Sequence, residues 1–367
     1  MEFQVQAMDG ALRAGRCELP RGGFQTPVFM PVGTRATVKA LGPEDLEAIG
    51  AGIILSNAYH LYLRPGADII ERLGGVQRFM GWDRLVLTDS GGYQIFSLKE
   101  LRKIRDDGVE FKSIVDGSAH FMTPEDNMRL QRALGSDIVM AFDVCPGADA
   151  PREEVVRALE LTTAWLRRCA AVELQPHQRL FGIVQGGLDK ALRRRSAEEL
   201  VALDLPGYAI GGLSVGESQE QMLEIAEYTA ALLPPHKPRY LMGVGMPLDI
   251  VRAAAVGIDM FDCVLPTRMA RNGTVFTPTG RITIRAGARK DDPRPIQEGC
   301  PCPACRRFSR AYIRHLFNAG EIMGPRLATL HNLTFYATMM HHMREAALQG
   351  RFAQWQHDFE TSYQSGG

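Results

Sequence analysis

Three cysteines and one histidine near the end of the chain have the spacing of a metal site. Cys300, Cys302 and Cys305 lie within six residues, and His331 follows after 25 intervening residues. Three thiolates and one imidazole complete the tetrahedral coordination of a structural Zn²⁺ ion and leave no position open for water or substrate. The other interpretation is three free thiols in a loop. We therefore predict one structural zinc ion per subunit, and we expect the reaction to take place elsewhere.

A second set of reactive side chains consists of three aspartates and a glutamine, each of which follows a short apolar run. They are Asp89, Asp143, Gln185 and Asp262. Carboxylates that converge in one site can act as nucleophile, general acid or base, and hydrogen-bond acceptor. The sequence has no H-x-H or H-E-x-x-H pair for a catalytic metal and no glycine-rich phosphate-binding motif. We predict carboxylate chemistry of the type used in glycosyl transfer, although any one such aspartate is more often a helix cap or turn residue.

The elements that would position these side chains are indicated by eight apolar runs, each followed by polar or glycine-rich residues. Such runs are typical of buried parallel strands. They are Val28–Val32, Ile53–Leu55, Leu85–Leu87, Ile138–Phe142, Leu180–Val184, Tyr208–Ile210, Tyr240–Met242 and Ile258–Phe261. Amphipathic patterns predict helices at Pro151–Leu174, Lys190–Leu203, Glu217–Leu233 and Pro247–Val256, and a further helix start at Thr123. The pattern predicts an α/β fold, an irregular (β/α)8 TIM barrel, whose active site forms at the carboxyl ends of the strands.

Three segments depart from the regular alternation of strand and helix. Residues 1–26 have the pattern of an N-terminal hairpin. Residues 97–122 interrupt the unit after the third strand, and the zinc-binding segment at 275–335 follows the eighth strand. These segments are expected to be additions to the barrel.

The chain is expected to form one domain, because no linker, repeat or low-complexity stretch divides it. We predict a catalytic barrel domain over residues 1–367, with a zinc-binding subdomain inserted at 275–335. Trp355 and Phe359 predict a last helix that packs back on the barrel.

The composition is typical of a globular enzyme in a reducing compartment. The chain has 367 residues, of which 45% are hydrophobic. It has no basic and apolar leader at its N-terminus and no run that approaches the ~18 apolar residues of a membrane span. The cysteines outside the zinc segment suggest no disulfide framework, so we expect a cytoplasmic location and no membrane partner.

The charge is unevenly distributed, although the formal net charge is zero. The stretch Leu265–Arg314 contains eleven basic residues, ten of them arginine, against three acidic residues. Arginine suits bidentate contacts to phosphate and stacking on bases. A basic face around a zinc site predicts a nucleic-acid partner, and the other interpretation is a solvated charged surface.

Five motifs and the zinc ligands resemble those of the tRNA-guanine transglycosylases. The motifs follow the family's order over nearly the whole chain, with small departures at Met269, a variable place, and Ser214, where alanine is also common. They are Thr88-Asp89-Ser90-Gly91-Gly92-Tyr93-Gln94, Phe142-Asp143-Val144-Cys145-Pro146, Gly182-Ile183-Val184-Gln185-Gly186-Gly187, Gly211-Gly212-Leu213-Ser214-Val215-Gly216-Glu217 and Phe261-Asp262-Cys263-Val264-Leu265-Pro266-Thr267-Arg268.

The resemblance implies a base exchange at the wobble guanine of tRNAs with a GUN anticodon, those for aspartate, asparagine, histidine and tyrosine. Asp262 matches the family nucleophile, which would form a covalent ribosyl-enzyme intermediate, and Asp89 matches the general acid/base. Guanine would leave and a 7-deazaguanine would enter, in queuosine biosynthesis. Asp143, Gln185 and the Gly212 amide match the groups that read the hydrogen-bonding edge of the purine.

The resemblance also implies roles at the edge of the site and a homodimer. Tyr93 and Met242 match the apolar groups on either side of the purine ring, although Met242 alone is equally well explained as a core residue. Arg268 and Arg271 match the readers of the bases that flank the wobble position. The homodimer would be built partly through the zinc subdomain, and the apolar stretch Leu333–Met339 is compatible with it.

The incoming base is expected to be preQ1 (7-aminomethyl-7-deazaguanine) rather than the bulkier queuine. Cys145 and Val215 match the bacterial type of the family, whereas enzymes that take queuine carry glycine at the position of Val215. A β-branched side chain there narrows the space beside the 7-substituent. Glu217 and the Leu213 carbonyl are candidate acceptors for the aminomethyl group.

Three other functions can be compared with this one. A non-catalytic tRNA-binding partner subunit of the same family would lack the nucleophile motif, whereas Asp262 is present. A barrel glycoside hydrolase would need neither the zinc site nor the basic segment. An archaeal-type enzyme usually carries a C-terminal RNA-binding extension, and this chain ends soon after its predicted last helix.

Overall fold

The computed structural model of the protein describes residues 1–97 and 102–365. The strands are β1 Glu2–Asp9, β2 Leu12–Leu19, β3 Gly22–Thr26, β4 Val28–Met30, β5 Val32–Gly33, β6 Ile53–Asn57, β7 Leu85–Asp89, β8 Arg102–Ile104, β9 Val109–Lys112, β10 Ala119–Met122, β11 Ile138–Met140, β12 Arg179–Val184, β13 Gly207–Ile210, β14 Arg239–Leu241, β15 Met260–Asp262, β16 Thr274–Thr277 and β17 Gly280–Thr283. The α-helices are α1 Pro43–Ala48, α2 Ala58–Leu63, α3 Ala67–Arg72, α4 Val76–Met80, α5 Gly92–Ser97, α6 Pro124–Leu134, α7 Arg152–Ala170, α8 Lys190–Val201, α9 Gln219–Leu232, α10 Pro247–Ala255, α11 Leu265–Arg271, α12 Pro303–Arg307, α13 Arg310–Asn318, α14 Met323–Leu348 and α15 Phe352–Ser365.

A parallel sheet of nine strands forms the centre of the described structure, in the order β4-β15-β14-β13-β12-β11-β7-β6-β5. Its two edge strands, β4 and β5, are pieces of one segment that is interrupted only at Pro31. Proline has no amide hydrogen to donate to a ladder, so the strand breaks there. Because β4 pairs with β15 and β5 pairs with β6, the sheet closes almost completely into a barrel. The predicted α/β barrel and its eight strand positions are confirmed.

The core has two layers that follow the period-two alternation of each strand. Residues such as Leu55, Leu87 and Ile183 point into the barrel and form one buried cluster. Their neighbours, such as Val86 and Val184, pack against the surrounding helices in a second cluster. Burying an aliphatic side chain of this size contributes about 1.5–3 kcal/mol, so this alternation fixes which face of each strand lines the barrel.

The predicted helices are present, but α9 begins later than expected, and this leaves Glu217 in the loop next to the site. The helix predicted from Glu217 starts at Gln219, because the Ser218 side chain accepts a hydrogen bond from the Gln221 amide and Gln221 reciprocates. This capping box ends the loop before the helix and leaves Glu217 outside it. The helix predicted to run to Leu174 ends earlier, at Ala170, before the chain turns towards β12.

Two of the segments that interrupt the regular pattern form small antiparallel sheets, and residues 98–101 of the predicted insertion at 97–122 lie outside the described residues. The first 26 residues form a three-stranded antiparallel sheet, β1-β2-β3, rather than a simple hairpin, and Leu19 and Phe24 join the buried cluster inside the barrel. A second antiparallel sheet, β10-β9-β8, follows α5. No helix in the described ranges is both long and apolar enough to cross a membrane.

The last helix packs on the barrel, as predicted. Trp355 and Phe359 stack on each other with ring centroids 5.2 Å apart, and both pack against the main core. An ion pair between Arg252 and Glu360, 2.8 Å, joins α15 to α10.

Candidate active site

Side chains alternate between the two faces of each strand, and this alternation brings the predicted polar residues to the inner face of the barrel at the carboxyl ends of its strands. Asp89, Gln185 and Asp262 each stand two residues beyond an interior residue of the same strand segment, so they continue the inward-facing row. Asn57, at the end of β6, has the same position and is paired in register with Asp89. These side chains therefore meet above the apolar interior of the barrel.

Asp262 is held at one carboxylate oxygen only. Its Oδ1 accepts hydrogen bonds from the Tyr240 hydroxyl at 2.6 Å and from the Gly243 amide at 2.9 Å. No donor in the described ranges contacts Oδ2, so this oxygen keeps its lone pairs available. Burial raises the pKa of Asp262, and the two hydrogen bonds oppose that effect.

Asp89 is held at both carboxylate oxygens. Oδ1 accepts from the amides of Ala58 and Gly91, each at 3.2 Å, and Oδ2 accepts from Asn57 Nδ2 at 2.6 Å. Burial, followed by the nearby negative charge of Asp262, raises the pKa of Asp89 to about 8 despite these donors. Near neutral pH, Asp89 therefore carries a proton while it remains close to Asp262. A pair of carboxyl groups in this state has the properties of a general acid beside a nucleophile.

Asp143 and Gln185 form a second polar pair on the neighbouring strands. Asp143 is 5% exposed and accepts hydrogen bonds from Gln185 Nε2 at 2.8 Å and Ser90 Oγ at 3.3 Å. Burial raises the pKa of Asp143 to about 6, against the effect of both donors. A Cβ atom at Gly92 would lie 2.6 Å from Asp143 Oδ1, so only glycine fits there. Gln185 is fully buried, and its Oε1 has no hydrogen-bond partner in the described structure.

The loop after β13 forms another wall of the site. Glu217 accepts hydrogen bonds from the Ser214 amide and, at 3.0 Å, from the Val215 amide. Ser214 adopts φ of 59°, a conformation that a non-glycine residue rarely takes, and the paired carboxylate stabilises it. Leu213 is buried, whereas Val215 is partly exposed. Burial raises the pKa of the Cys145 thiol to about 12, and the nearby Gly212 amide opposes the shift.

The remaining predicted site residues lie around the mouth of the barrel. Tyr93, on α5, is 58% exposed, while Met242 is partly buried and packs against the interior cluster. Arg268 and Arg271 lie on α11, which begins three residues after Asp262. Burial, followed by the charge of Arg268, lowers the pKa of Arg271, and Arg271 Nη1 is buried without a hydrogen-bond partner among the described residues.

The four predicted metal ligands converge in a buried cluster. The thiols of Cys300, Cys302 and Cys305 and one ring nitrogen of His331 lie within 4.8 Å of one another. His331 Nδ1 faces the thiols at 3.3–3.7 Å, and its Nε2 lies 2.7 Å from the Phe276 carbonyl. That contact fixes the tautomer in which Nδ1 is free to bind a metal. Three thiols and one imidazole in this arrangement fit a tetrahedral Zn²⁺ ion, held by Cys300, Cys302, Cys305 and His331.

The metal cluster is joined to the helix that carries the two arginines. Asn332, next to His331 on α14, donates from Nδ2 to the carbonyls of Pro266 and Thr274 at 3.0 and 3.2 Å, and its Oδ1 accepts from the Phe276 amide. The packing of α11 therefore depends on the same turn of α14 that completes the metal site.

Sequence reasoning missed three residues that donate hydrogen bonds to the carboxylates of the predicted site. Asn57 and Ser90 donate to Asp89 and Asp143, and Tyr240 donates to Asp262. Asn57 and Tyr240 could have been found from strand alternation, because each has the parity of the inward-facing row. Ser90 gave no comparable signal.

The chain is similar to known proteins over nearly its whole length. The family model for queuine tRNA-ribosyltransferase matches residues 9–365. A queuine tRNA-ribosyltransferase of Symbiobacterium thermophilum is 55% identical over 357 residues, which cover 97% of this chain and 89% of that protein. One from Caldanaerobacter subterraneus subsp. tengcongensis is 54% identical over 366 residues, covering 99% of this chain and 98% of the relative. A third, from Novosphingobium aromaticivorans, is 52% identical over 366 residues and covers 98% of each chain.

Proposed function

The chain belongs to the queuine tRNA-ribosyltransferase family, and we propose from this premise that it exchanges the wobble guanine of GUN-anticodon tRNAs for preQ1. It is a pentosyltransferase that acts on tRNA, and the proposal concerns the base and the mechanism. The observation that carries the proposal is the contrast between Asp262, which has one carboxylate oxygen without a donor, and Asp89, whose pKa is raised to about 8. The product belongs to queuosine biosynthesis.

In the first step, Asp262 Oδ2 attacks C1′ of the wobble ribose. The bond from C1′ to N9 of guanine breaks, an ester forms between C1′ and Asp262, and protonated Asp89 gives its proton to the departing guanine. The nucleotide must first leave the base stack, which costs a few kcal/mol that contacts in the pocket offset.

In the second step, the incoming base reverses the chemistry. Asp89, now ionised, takes the proton from N9 of the 7-deazaguanine, and N9 attacks C1′ as the ester to Asp262 breaks. One glycosidic bond is broken and one is formed, so the exchange needs no ATP.

The polar pair on the neighbouring strands suits the edge of guanine. The Asp143 carboxylate can accept from N1–H and the 2-amino group, and the Gly212 amide and the Gln185 side chain can bind the 6-carbonyl. Tyr93 and Met242 are proposed to lie on the two faces of the ring. The exposure of Tyr93 in the free protein leaves it able to close over a bound base.

The loop after β13 supports preQ1 as the incoming base. The Ser214 amide points at Glu217, and in a trans peptide the Leu213 carbonyl then points the opposite way, away from Glu217. The Leu213 carbonyl can then accept a hydrogen bond from a cationic aminomethyl group, and the nearby negative charge of Glu217 would favour that cation. Val215 and Cys145 narrow the space in which the larger substituent of queuine would have to fit.

Recognition of the tRNA is proposed to centre on α11. Arg268 is exposed, and the unpaired Nη1 of Arg271 can serve a base or phosphate that arrives next to Asp262. The structural zinc ion supports this helix through Asn332. Because this connection ties residues 275–335 to the barrel, they are proposed to form a zinc-binding subdomain within the single domain.

The homodimer is proposed to use the outer surface of the zinc subdomain. The stretch Leu333–Met339 cannot supply that surface, because Leu333 and Met339 are buried within the chain itself. An aromatic group on the outside of the subdomain is available instead: Tyr312 is 43% exposed and stacks on Phe308 at 5.3 Å. Exposed aromatic groups of this kind are typical of protein interfaces.

The test is exchange of radiolabelled guanine into a GUN-anticodon tRNA, followed by competition with unlabelled preQ1 or queuine. We expect exchange by the wild type and a denaturation-resistant RNA adduct, and neither with Asp262→Asn, which should still bind tRNA. Binding without exchange by the wild type would identify the non-catalytic partner subunit instead. An adduct that persists in Asp262→Asn would point to Asp89 as the nucleophile.

A further inference from the structure

One arginine below the purine pocket is completely buried and has no carboxylate partner. Arg193, in the first turn of α8, has 0% exposure, and no described carboxylate lies within ion-pairing distance of it. Its guanidinium donates only to main-chain carbonyl groups. They are those of Gly187 at 2.8 Å, Val184 at 2.9 Å, Gly211 at 2.7 Å and Gly212 at 3.3 Å.

These carbonyls belong to the two loops that supply the purine-reading groups. Val184 and Gly187 flank Gln185 after β12, and Gly211 and Gly212 follow β13. The guanidinium thus bridges the two segments, which are also joined by a main-chain hydrogen bond from the Gly211 amide to the Val184 carbonyl at 3.1 Å.

The orientation of one peptide follows from this bridge. The Gly211 carbonyl and the Gly212 amide belong to the same trans peptide, so they point in opposite directions. With the carbonyl on Arg193, the amide hydrogen points away from Arg193, on the side where it opposes the rise in the pKa of the Cys145 thiol. Gly212 has φ of 65°, and a Cβ atom there would lie 2.4 Å from Gln185 Oε1, so only glycine fits at this position beside Gln185.

We propose that Arg193 is a positioning residue for the purine pocket, which orients the Gly211–Gly212 peptide and strengthens its amide as a donor to the 6-oxygen of the base. The inference rests on the proposed function. A cation on the carbonyl end of a peptide polarises the amide end, because hydrogen bonds in a chain reinforce one another at low dielectric. As guanine departs, negative charge spreads to its 6-oxygen, so a strengthened donor stabilises the leaving group as well as the bound base.

The charge of Arg193 is a fixed feature near neutral pH. Burial lowers the pKa of Arg193 to about 10, and the nearby Cys145 and Glu217 partly oppose the shift. The guanidinium therefore stays protonated at the pH at which Asp89, with a pKa of about 8, loses its proton.

The test compares Arg193→Met with a matched control, Arg344→Met. Arg344, on α14, is also buried and also donates to two main-chain carbonyls, but these are Gly15 and Thr26 of the N-terminal sheet, away from the site. We expect Arg193→Met to raise KM for guanine roughly tenfold or more, the loss typical of a buried contact to a charged group, with unchanged tRNA binding. Arg344→Met should lower the melting temperature but leave KM for guanine at the wild-type value.

A second measurement joins Arg193 to one atom of the base. Replacement of guanine by 6-thioguanine puts a poorer acceptor at the 6-position, and wild-type exchange should fall accordingly. In Arg193→Met, the loss of exchange rate caused by 6-thioguanine should be several-fold smaller, because the Gly212 amide is no longer aligned or polarised. Comparing the effect of 6-thioguanine in the wild type and in the variant measures the coupling between Arg193 and the 6-position of the base. Equal penalties in the two proteins would overturn the inference, as would a wild-type KM for guanine in Arg193→Met.

Arg193→Lys covers the case in which the methionine variant does not fold. Lysine keeps the charge but cannot reach four carbonyls in a planar fork, so we expect an intermediate KM and an intermediate 6-thioguanine penalty. A lysine variant with wild-type values for both would overturn the inference. Failure of the wild type itself to exchange guanine would instead refute the proposed function, so the two failures are distinguishable.

Discussion

Removing the Asn57 amide donor should move the alkaline limb of the pH–rate profile upwards. Asn57 Nδ2 lies 2.6 Å from Asp89 Oδ2, and Asn57 also caps α2 through its Oδ1 on the His60 amide. Asn57→Ser keeps a capping oxygen and removes the donor to the carboxylate. The variant therefore perturbs Asp89 with little effect on the helix.

The sign and size of the shift follow from the geometry. A hydrogen bond to the ionised carboxylate lowers its pKa, so losing that bond raises the pKa of Asp89 above its value of about 8. A hydrogen bond to a charged group contributes about 1.5–3 kcal/mol, and about 1.4 kcal/mol corresponds to one pKa unit. Two amide donors remain on Oδ1, so we expect the lower end of that range. The alkaline limb should then move from about pH 8 to about pH 9.

The assay is kcat/KM for exchange of labelled guanine into tRNA, measured between about pH 6 and pH 9.5, where the profile reports groups of the free enzyme. Ser56→Ala is the matched control, because Ser56 is the preceding buried residue and its hydroxyl has no hydrogen-bond partner in the described structure. Its profile should coincide with that of the wild type. An unmoved alkaline limb in Asn57→Ser would show that Asp89 is not the proton donor, and a downward shift would refute the electrostatic argument.

Three further variants test other parts of the site. Cys302→Ala should lose zinc and tRNA binding together while circular dichroism shows a folded barrel. Cys169→Ala, at a buried thiol outside the metal site, should lose neither. Full tRNA binding by zinc-free protein would exclude the link through Asn332. Val215→Gly should exchange queuine about tenfold better relative to preQ1. The reason is that a clash of a few methylenes costs about 1–3 kcal/mol of binding free energy in a packed pocket. Equal use of both bases by the wild type would contradict this expectation. Arg268→Ala should relax discrimination among anticodon-loop sequences. Arg285, an exposed arginine of the basic stretch Leu265–Arg314, is proposed to contact phosphate, so Arg285→Ala should weaken binding of all tRNAs alike and reduce its salt dependence. Uniform weakening by both variants would rule out base reading by Arg268.

The barrel could be predicted because its strands carry their own signal. Runs such as Ile53–Leu55 and Leu180–Val184 are buried on both faces, and only parallel strands inside a layered fold need such continuous apolar character. The metal site could be predicted equally well, because its four ligands are specific in type and spacing. Both predictions rest on local sequence and need no knowledge of which distant residues meet.

The boundaries and supporting contacts were harder to predict for physical reasons. Glu217 has a good helix propensity and was assigned to the helix, but the capping box of Ser218 and Gln221 determines where α9 begins. That signal is present in the sequence, as serine followed three residues later by glutamine. Arg193 gave no local signal at all, because its partners are carbonyl groups of two separate loops and carbonyls have no sequence identity.

The different environments of Asp89 and Asp262 explain why the two residues should not exchange roles in the proposed mechanism. Both oxygens of Asp89 are engaged by donors, so it can hold and release a proton but has no oxygen positioned to attack carbon. Asp262 is fixed through Oδ1 by Tyr240 and Gly243, and that leaves Oδ2 oriented and without a described donor. The negative charge of Asp262 in turn helps to keep Asp89 protonated. In the proposed mechanism, the pKa of Asp89 would therefore fall when Asp262 becomes an ester and loses its charge. That fall would favour release of the proton to guanine as the bond to guanine breaks.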